Sequence, residues 1–200
     1  EGYFEFSFPP GDGFDPEAAW HAVELRVDDA PGLDVDPVEA LAHVRTPKPE
    51  AGLGIISDID DTIVVTGAYD FLKHWRTVVA NSAESRVPYP GIAPLYRAIA
   101  DQGGEQDRHP VFYVSSSPWN LFDLFERFMA LNGIPLGPLM LKDFGLTADK
   151  WLTGGHDGHK QTMIKRIMDR YPDMRFILVG DSGQRDAAIY AAMASERPDR

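Results

Sequence analysis

The segment Gly54–Gly67 reads GIISDIDDTIVVTG and places three aspartates within four positions of an otherwise apolar run. Asp58, Asp60 and Asp61 are poor strand residues, and their negative charges repel one another. A chain selected only to fold has little reason to crowd them there. The segment therefore indicates a functional acidic cluster at the end of a short strand.

From Leu53 onward, short apolar strands alternate with amphipathic helices. The predicted strands are LGIIS, VFYVS, LMLKDFG and RFILVGD. The predicted helices are YDFLKHWRTVV, IAPLYRAIAD, WNLFDLFERFMALNG, HKQTMIKRIMDRYP and DAAIYAAMA. Strands separated by helices form parallel β-α-β units with right-handed crossovers. We therefore predict an α/β fold with a parallel sheet flanked by helices.

Residues 1–52 have a different pattern. YFEFSF (Tyr3–Phe8) and WHAVELRV (Trp20–Val27) alternate apolar and polar residues as half-buried strands do, and ALAHVRTP is a third candidate strand. We predict a partial antiparallel β unit over residues 1–52 and a separate catalytic domain over residues 53–200.

The composition is that of a soluble globular protein with a strong negative charge. The chain has 200 residues, a mean hydropathy of -0.26 and a formal net charge of -12. Such a field disfavours nucleic acids and anionic surfaces as bulk partners. The absence of Cys excludes disulfides, zinc thiolate sites and Cys nucleophiles. No apolar run approaches the length of about 20 residues that a membrane helix needs, and we expect a cytoplasmic location.

Three polar side chains follow predicted strands directly. Asp58 follows GIIS, Ser115 follows VFYV, and Asp181 follows FILVG. Ligands bind in the crevice beyond the carboxyl ends of parallel strands, so these side chains are expected to meet in one site. A carboxylate there can attack phosphorus, and a second acid two residues on, Asp60, can transfer protons. Mg²⁺ would relieve the repulsion between carboxylates, and Lys160 could hold a phosphoryl oxygen.

These motifs resemble the haloacid dehalogenase superfamily of phosphohydrolases, which has a Rossmann-like fold. DIDDT matches its Asp-x-Asp-x-Thr signature, and Ser115, Lys160 and GDSGQRD stand for its other three motifs in order. The strings SDIDDTI, YVSSSPWNL and FILVGDSGQRD are similar to the actin-patch-associated phosphatidate phosphatase family in particular. The resemblance covers roughly residues 50–195, and the four-part order is far more specific than any single motif.

The resemblance implies a role for each matching residue. Asp58 would be the nucleophile and Asp60 the acid and base. Ser115 and Lys160 would grip the phosphoryl group, while Thr62 would steady the first loop beside it.

The same resemblance implies a metal site. Asp58, the backbone carbonyl of Asp60 and Asp181 would bind Mg²⁺, and Asp186 would support the metal shell. Among lysines, Lys142 in MLKDFG is the rival to the one named above, although it lies early in the chain and on a predicted strand.

A small cap is expected at about residues 66–91, where this superfamily inserts one. Lys73, His74 and Arg86 are candidates for substrate contact within it. The chain stops at Arg200, soon after the helix that follows the fourth motif, so we expect a catalytic domain truncated at its carboxyl end.

The predicted function is a Mg²⁺-dependent phosphomonoester hydrolase that works through an aspartyl phosphate. The resemblance points to phosphatidate as substrate, with peripheral membrane contact. The negative net charge fits a lipid surface poorly, so a soluble phosphate ester stays open. A non-catalytic binding module also stays open. A receiver-type signalling domain is disfavoured, because it has no acid corresponding to Asp60. The sequence leaves the oligomeric state open.

Structural explanations of the same residues are weaker. A calcium-binding EF-hand loop beginning at Asp58 would need Gly and Glu where Ile63 and Tyr69 stand. GDSG resembles a serine protease segment, but it follows a buried strand and lacks the residues expected after it. Ser117 before Pro118 is a good helix cap and is predicted to be one.

Overall fold

The computed structural model describes residues 7–28, 36–48, 50–65, 86–104, 108–142, 156–182 and 185–200. Two compact units divide the chain, Gly2–Glu50 and Ala51–Arg200. The cap residues 66–85, with the predicted helix inside them, lie outside the described residues. The predicted cap and the predicted truncation stay predictions.

The amino-terminal unit contains one antiparallel pair of strands. Strand β1 (Trp20–Val27) pairs with β2 (Val38–Arg45) along its whole length. The buried Arg45 guanidinium donates hydrogen bonds to the backbone carbonyls of Ala19 and Thr46, and it lies 5.7 Å from the centre of the Trp20 ring. Of the predicted strand Tyr3–Phe8, residues 1–6 lie outside the described part, and residues 7 and 8 are not in a strand.

The second unit is built on a four-stranded parallel sheet. Its strands are β3 (Leu53–Ser57), β4 (Val111–Pro118), β5 (Leu139–Lys142) and β6 (Arg175–Val179). Their spatial order is β5-β4-β3-β6, and every neighbouring pair is parallel. This confirms the predicted α/β fold. The central position of β3 brings the aspartates that follow it between the ends of two neighbouring strands.

Helices lie between these strands in the chain. They are α1 (Ile92–Ala100), α2 (Phe122–Leu131), α3 (His156–Arg170) and α4 (Asp186–Glu196). Short 3₁₀ helices cover Gln102–Gly104 and Trp119–Leu121. Among the described residues, we find no helix that combines the length and the apolar character needed to cross a membrane.

Alternation along β3 separates the hydrophobic core into two clusters. Ile55 packs in a cluster that includes Phe125 and Phe128 of α2. Ile56 packs in the other cluster, which includes Ile164 of α3 and Ile189 of α4. Because successive strand residues point to opposite faces, the sheet is buried by helices on both sides. Both phenylalanines are fully buried, as the prediction of a core stripe on α2 required.

Candidate active site

The loop after β3 is a tight turn organised around one buried residue, Ile59. Its carbonyl oxygen accepts hydrogen bonds from three backbone amides, those of Thr62, Ile63 and Val64. The Asp58 amide donates to the carbonyl of Val179 at 2.9 Å, which extends the pairing of β3 with β6. Asp61 adopts the left-handed region at a φ of 55°, which lets the chain reverse. With Ile59 in the core, the turn holds the carboxylates before and after it at the strand end.

Lys160 joins two buried carboxylates. Its Nζ lies 3.0 Å from Asp58 Oδ1 and 2.6 Å from Asp186 Oδ1, and all three side chains are at most 5% exposed. Burial raises the pKa of Asp58 to about 8, although the charge of Lys160 opposes that rise. Burial acts to lower the pKa of Lys160, but the two carboxylates outweigh it and the pKa is raised overall. The cluster therefore holds two acids around one firmly protonated amine.

Asp60 belongs to a different hydrogen-bond network. Its Oδ2 accepts hydrogen bonds from the hydroxyls of Ser115 at 2.8 Å and Ser117 at 2.7 Å. The Ser117 amide donates to Ser115 Oγ at 2.9 Å, which orients that hydroxyl. Burial raises the pKa of Asp60, while the two serine hydroxyls oppose the rise. The carboxyl group is thus held by neutral donors.

The prediction that Ser117 caps a helix is wrong. Strand β4 continues through it to Pro118, and the 3₁₀ helix that follows has Pro118 at its amino-terminal boundary without a side-chain cap. The Ser117 hydroxyl binds Asp60 instead. This residue of the site was missed, although its place two positions after Ser115 on a strand puts both on one face.

Three carboxylates could hold a metal ion. Asp58, Asp181 and Asp186 each offer an oxygen, and these atoms lie within 4.8 Å of one another. Asp58 Oδ2 and Asp186 Oδ2 are buried and have no hydrogen-bond partner within the described part of the chain. Oxygen ligands of this kind suit a hard cation. The site residues therefore fit the predicted Mg²⁺. The predicted contribution of Asp60, through its backbone carbonyl, stays a prediction.

The remaining predicted residues are placed as follows. Thr62 is buried, and its hydroxyl has no hydrogen-bond partner among the described residues. Burial lowers the pKa of the half-buried Arg86, and the charge of Asp60 partly offsets this effect. Lys73 and His74 lie outside the described residues.

Residues 53–200 match the family described as phosphatidate phosphatase APP1, catalytic domain. The chain belongs to this family. It is 33% identical over 150 residues to phosphatidate phosphatase APP1 of Saccharomyces cerevisiae, and 25% identical over 150 residues to an uncharacterised protein of Schizosaccharomyces pombe. Each match covers 74% of the chain but only 24% of the relative. The chain thus spans about a quarter of the length of these relatives.

Similarity to solved structures is low. A chain of the Pnkp1/Rnl/Hen1 RNA repair complex matches 74% of this chain and 50% of its own length, with a TM-score of 0.41 and 17% identity. A second structure of that complex gives a TM-score of 0.36 and 16% identity over 66% of this chain and 47% of its own. At these levels neither match bears on the function.

Two neighbours support the acidic residues in this APP1-family domain. The Ser57 hydroxyl donates to the Asp58 carbonyl at 2.6 Å and lies 2.7 Å from the Tyr96 hydroxyl. At Gly180, a Cβ atom would come within 2.8 Å of both Asp186 and the Tyr190 ring. Glycine is therefore required for Asp186 to approach the end of β6. A polar residue at the end of an apolar strand and a glycine directly before a motif aspartate are the sequence signals for these positions.

Proposed function

We propose that this chain is the catalytic domain of a phosphomonoester hydrolase that works through a phosphorylated Asp58. The observation that carries the proposal is the pair of separate networks around two neighbouring acids. Asp58 lies against a buried amine and within reach of two further carboxylates, whereas Asp60 is held only by hydroxyls. Such a division suits one acid for attack and the other for proton transfer.

The first chemical step transfers the phosphoryl group to the protein. A carboxylate oxygen of Asp58 forms a bond to phosphorus as the bond from phosphorus to the alcohol oxygen breaks. The departing oxygen takes the electron pair and receives a proton from Asp60. Lys160 and Ser115 contact the phosphoryl oxygens and position the group, with Thr62 lining the same loop.

The second step regenerates the protein. Asp60, now a carboxylate, removes a proton from water as the water oxygen forms a bond to phosphorus. The bond from phosphorus to Asp58 breaks, and inorganic phosphate leaves. Splitting hydrolysis in this way replaces one difficult displacement with two easier ones.

A divalent cation, Mg²⁺ in the proposal, would be held by Asp58, Asp181, Asp186 and the backbone carbonyl of Asp60. When bound, it supplies positive charge that offsets the carboxylates and the phosphate. The two buried carboxylate oxygens that lack partners support this assignment. Because burial raises the pKa of Asp58 to about 8, a nearby cation would also favour its reactive, ionised form.

The proposed substrate is phosphatidate, which would yield diacylglycerol and phosphate. Support comes from the family description and from the name of the Saccharomyces cerevisiae relative. We also place the domain in the haloacid dehalogenase superfamily, on the order of its four motifs. A soluble phosphate ester is the second candidate, because a net charge of -12 disfavours an anionic lipid surface.

Phosphate release tests both the mechanism and the substrate. Wild type, Asp58→Asn and the exposed control Asp199→Asn are assayed on phenyl phosphate and on phosphatidate in mixed micelles, with Mg²⁺ or EDTA. We expect release that requires Mg²⁺, persists in the control and falls at least about a thousandfold in Asp58→Asn. Release that survives in Asp58→Asn contradicts the mechanism. Release from phenyl phosphate alone contradicts the lipid assignment, and no release by folded wild type favours a non-catalytic domain.

A further inference from the structure

Ser117 has no role in the function proposed above, yet it is buried in the site. It is 3% exposed, and its hydroxyl donates to the same Asp60 oxygen, Oδ2, that Ser115 contacts. The other oxygen, Asp60 Oδ1, is also buried and has no hydrogen-bond partner among the described residues. Two hydroxyls therefore hold one oxygen of the carboxyl group and leave the other available.

Counting donors shows why two serines are needed. A serine hydroxyl has one hydrogen to donate. In this structure Ser115 gives that hydrogen to Asp60 and accepts one from the Ser117 amide. If Ser115 contacts the phosphoryl group of a substrate, it can no longer donate to Asp60. Ser117 is then the hydroxyl that keeps Asp60 in place.

The backbone of β4 makes this arrangement possible. Ser115 and Ser117 are two residues apart on a strand, so both point to one face. The pairing of β4 with β5 shifts register between Val114 and Pro118, where the strand has an irregularity of the β-bulge type. Bulges commonly redirect side chains next to functional sites.

We propose that Ser117 is a positioning residue for Asp60, which fixes Oδ2 so that Oδ1 exchanges the proton with the leaving oxygen. This inference rests on the proposed function. In the first step the proton passes from Oδ1 to the alcohol oxygen as that oxygen takes the electron pair of its bond to phosphorus. Ser117 keeps its own proton throughout and acts only through Asp60.

The test uses leaving groups that need different amounts of help from an acid. Wild type, Ser117→Ala and the exposed control Ser195→Ala are compared on dinitrophenyl, nitrophenyl and phenyl phosphate. The quantity compared is kcat/KM, which covers the steps up to release of the alcohol. We expect Ser117→Ala to lose about tenfold or more on phenyl phosphate, since general acid catalysis is worth about 10² to 10⁴. The loss should be less than about threefold on dinitrophenyl phosphate, whose alcohol leaves without protonation. Ser195→Ala should match wild type on all three.

Two further comparisons separate positioning from general disruption. Ser115→Ala should mainly raise KM, and Ser117→Ala should mainly lower kcat on phenyl phosphate. In an Asp60→Asn background, the Ser117→Ala change should cost little more, because the group that it positions no longer transfers a proton. Thermal melting checks that each variant is folded.

The outcomes distinguish this inference from the proposed function. An equal loss on all three esters, or a full additional loss in the Asp60→Asn background, overturns the role of Ser117. If Asp58→Asn keeps wild-type release, the proposed function itself fails. If Asp58→Asn is inactive and Ser117→Ala shows no dependence on the leaving group, only the inference about Ser117 fails.

Discussion

Replacing Asp58 with Asn should stabilise the metal-free protein at neutral and alkaline pH while removing the proposed nucleophile. Burial raises the pKa of Asp58 from 3.8 to about 8, so the folded protein holds a proton there that the unfolded chain releases. One pKa unit corresponds to about 1.4 kcal/mol, which gives an upper bound of about 6 kcal/mol. Relaxation and water penetration reduce such values, and we expect a gain of about 2 to 4 kcal/mol near pH 8.

The sign of the pH dependence follows from the raised pKa. The stability that protonated Asp58 provides is complete below about pH 4 and is lost as the pH rises to about 8. Asn stays neutral over that whole range, so the variant lacks this loss. The difference between variant and wild type should therefore grow with pH and shrink toward zero as the pH approaches about 4.

Urea unfolding in EDTA between about pH 5 and pH 8 measures the difference directly. The exposed Asp199→Asn serves as the matched control, with an expected change within about 0.5 kcal/mol. Added Mg²⁺ should raise the free energy of unfolding of wild type more than that of Asp58→Asn, because the variant has lost one ligand. An Asp58→Asn variant that is less stable than wild type at about pH 8, or a gain independent of pH, would refute the reasoning.

Three other substitutions test the supporting contacts. Gly180→Ala would place a Cβ 2.8 Å from the Asp186 Cβ, so it should lower the Mg²⁺ affinity seen by calorimetry and cost about 1 to 3 kcal/mol of unfolding free energy. Lys160→Met leaves two buried carboxylates without their amine and should cost about 3 to 5 kcal/mol in EDTA, part of which Mg²⁺ should restore; an unchanged urea midpoint would contradict this. Burial raises the pKa of Tyr96 from 10.0 to about 12, so wild type should lose stability as the pH rises between those values. Tyr96→Phe should be about 1 kcal/mol less stable near pH 8, through the lost Ser57 hydrogen bond, and the gap should narrow above about pH 10 in urea unfolding.

The parallel sheet and the position of its acidic edge could be predicted because both follow from repeated local patterns. Strand and helix periods alternate along the chain, and in a parallel sheet the carboxyl ends of all strands lie at one edge. Asp58, at the end of β3, therefore meets groups from later segments without any detailed knowledge of packing. Ser115 lies within β4 rather than after it, but it still reaches Asp60.

The supporting contacts could not be predicted, because they depend on tertiary distances that no local pattern encodes. Ser117 and Pro118 look like a helix start, and a local capping bond was the expectation. The Ser117 hydroxyl instead finds a buried acceptor in Asp60, 57 positions away in the chain. A local cap and a tertiary acceptor compete for the same hydroxyl, and here the buried carboxyl prevails. The contact between Tyr96 and Ser57 is of the same kind.

The two acids of the DIDDT segment can be assigned different roles from their surroundings alone. Burial raises the pKa of both, so neither is ionised without help. Asp58 has that help at hand, because a protonated amine lies 3.0 Å away and two more carboxylates complete a set that could hold a cation. Asp60 receives only hydroxyl hydrogen bonds, which suit a group that gains and loses a proton. The assignment of nucleophile and acid therefore has a physical basis that does not depend on motif order, and exchanging the roles would require moving Lys160 from one carboxylate to the other.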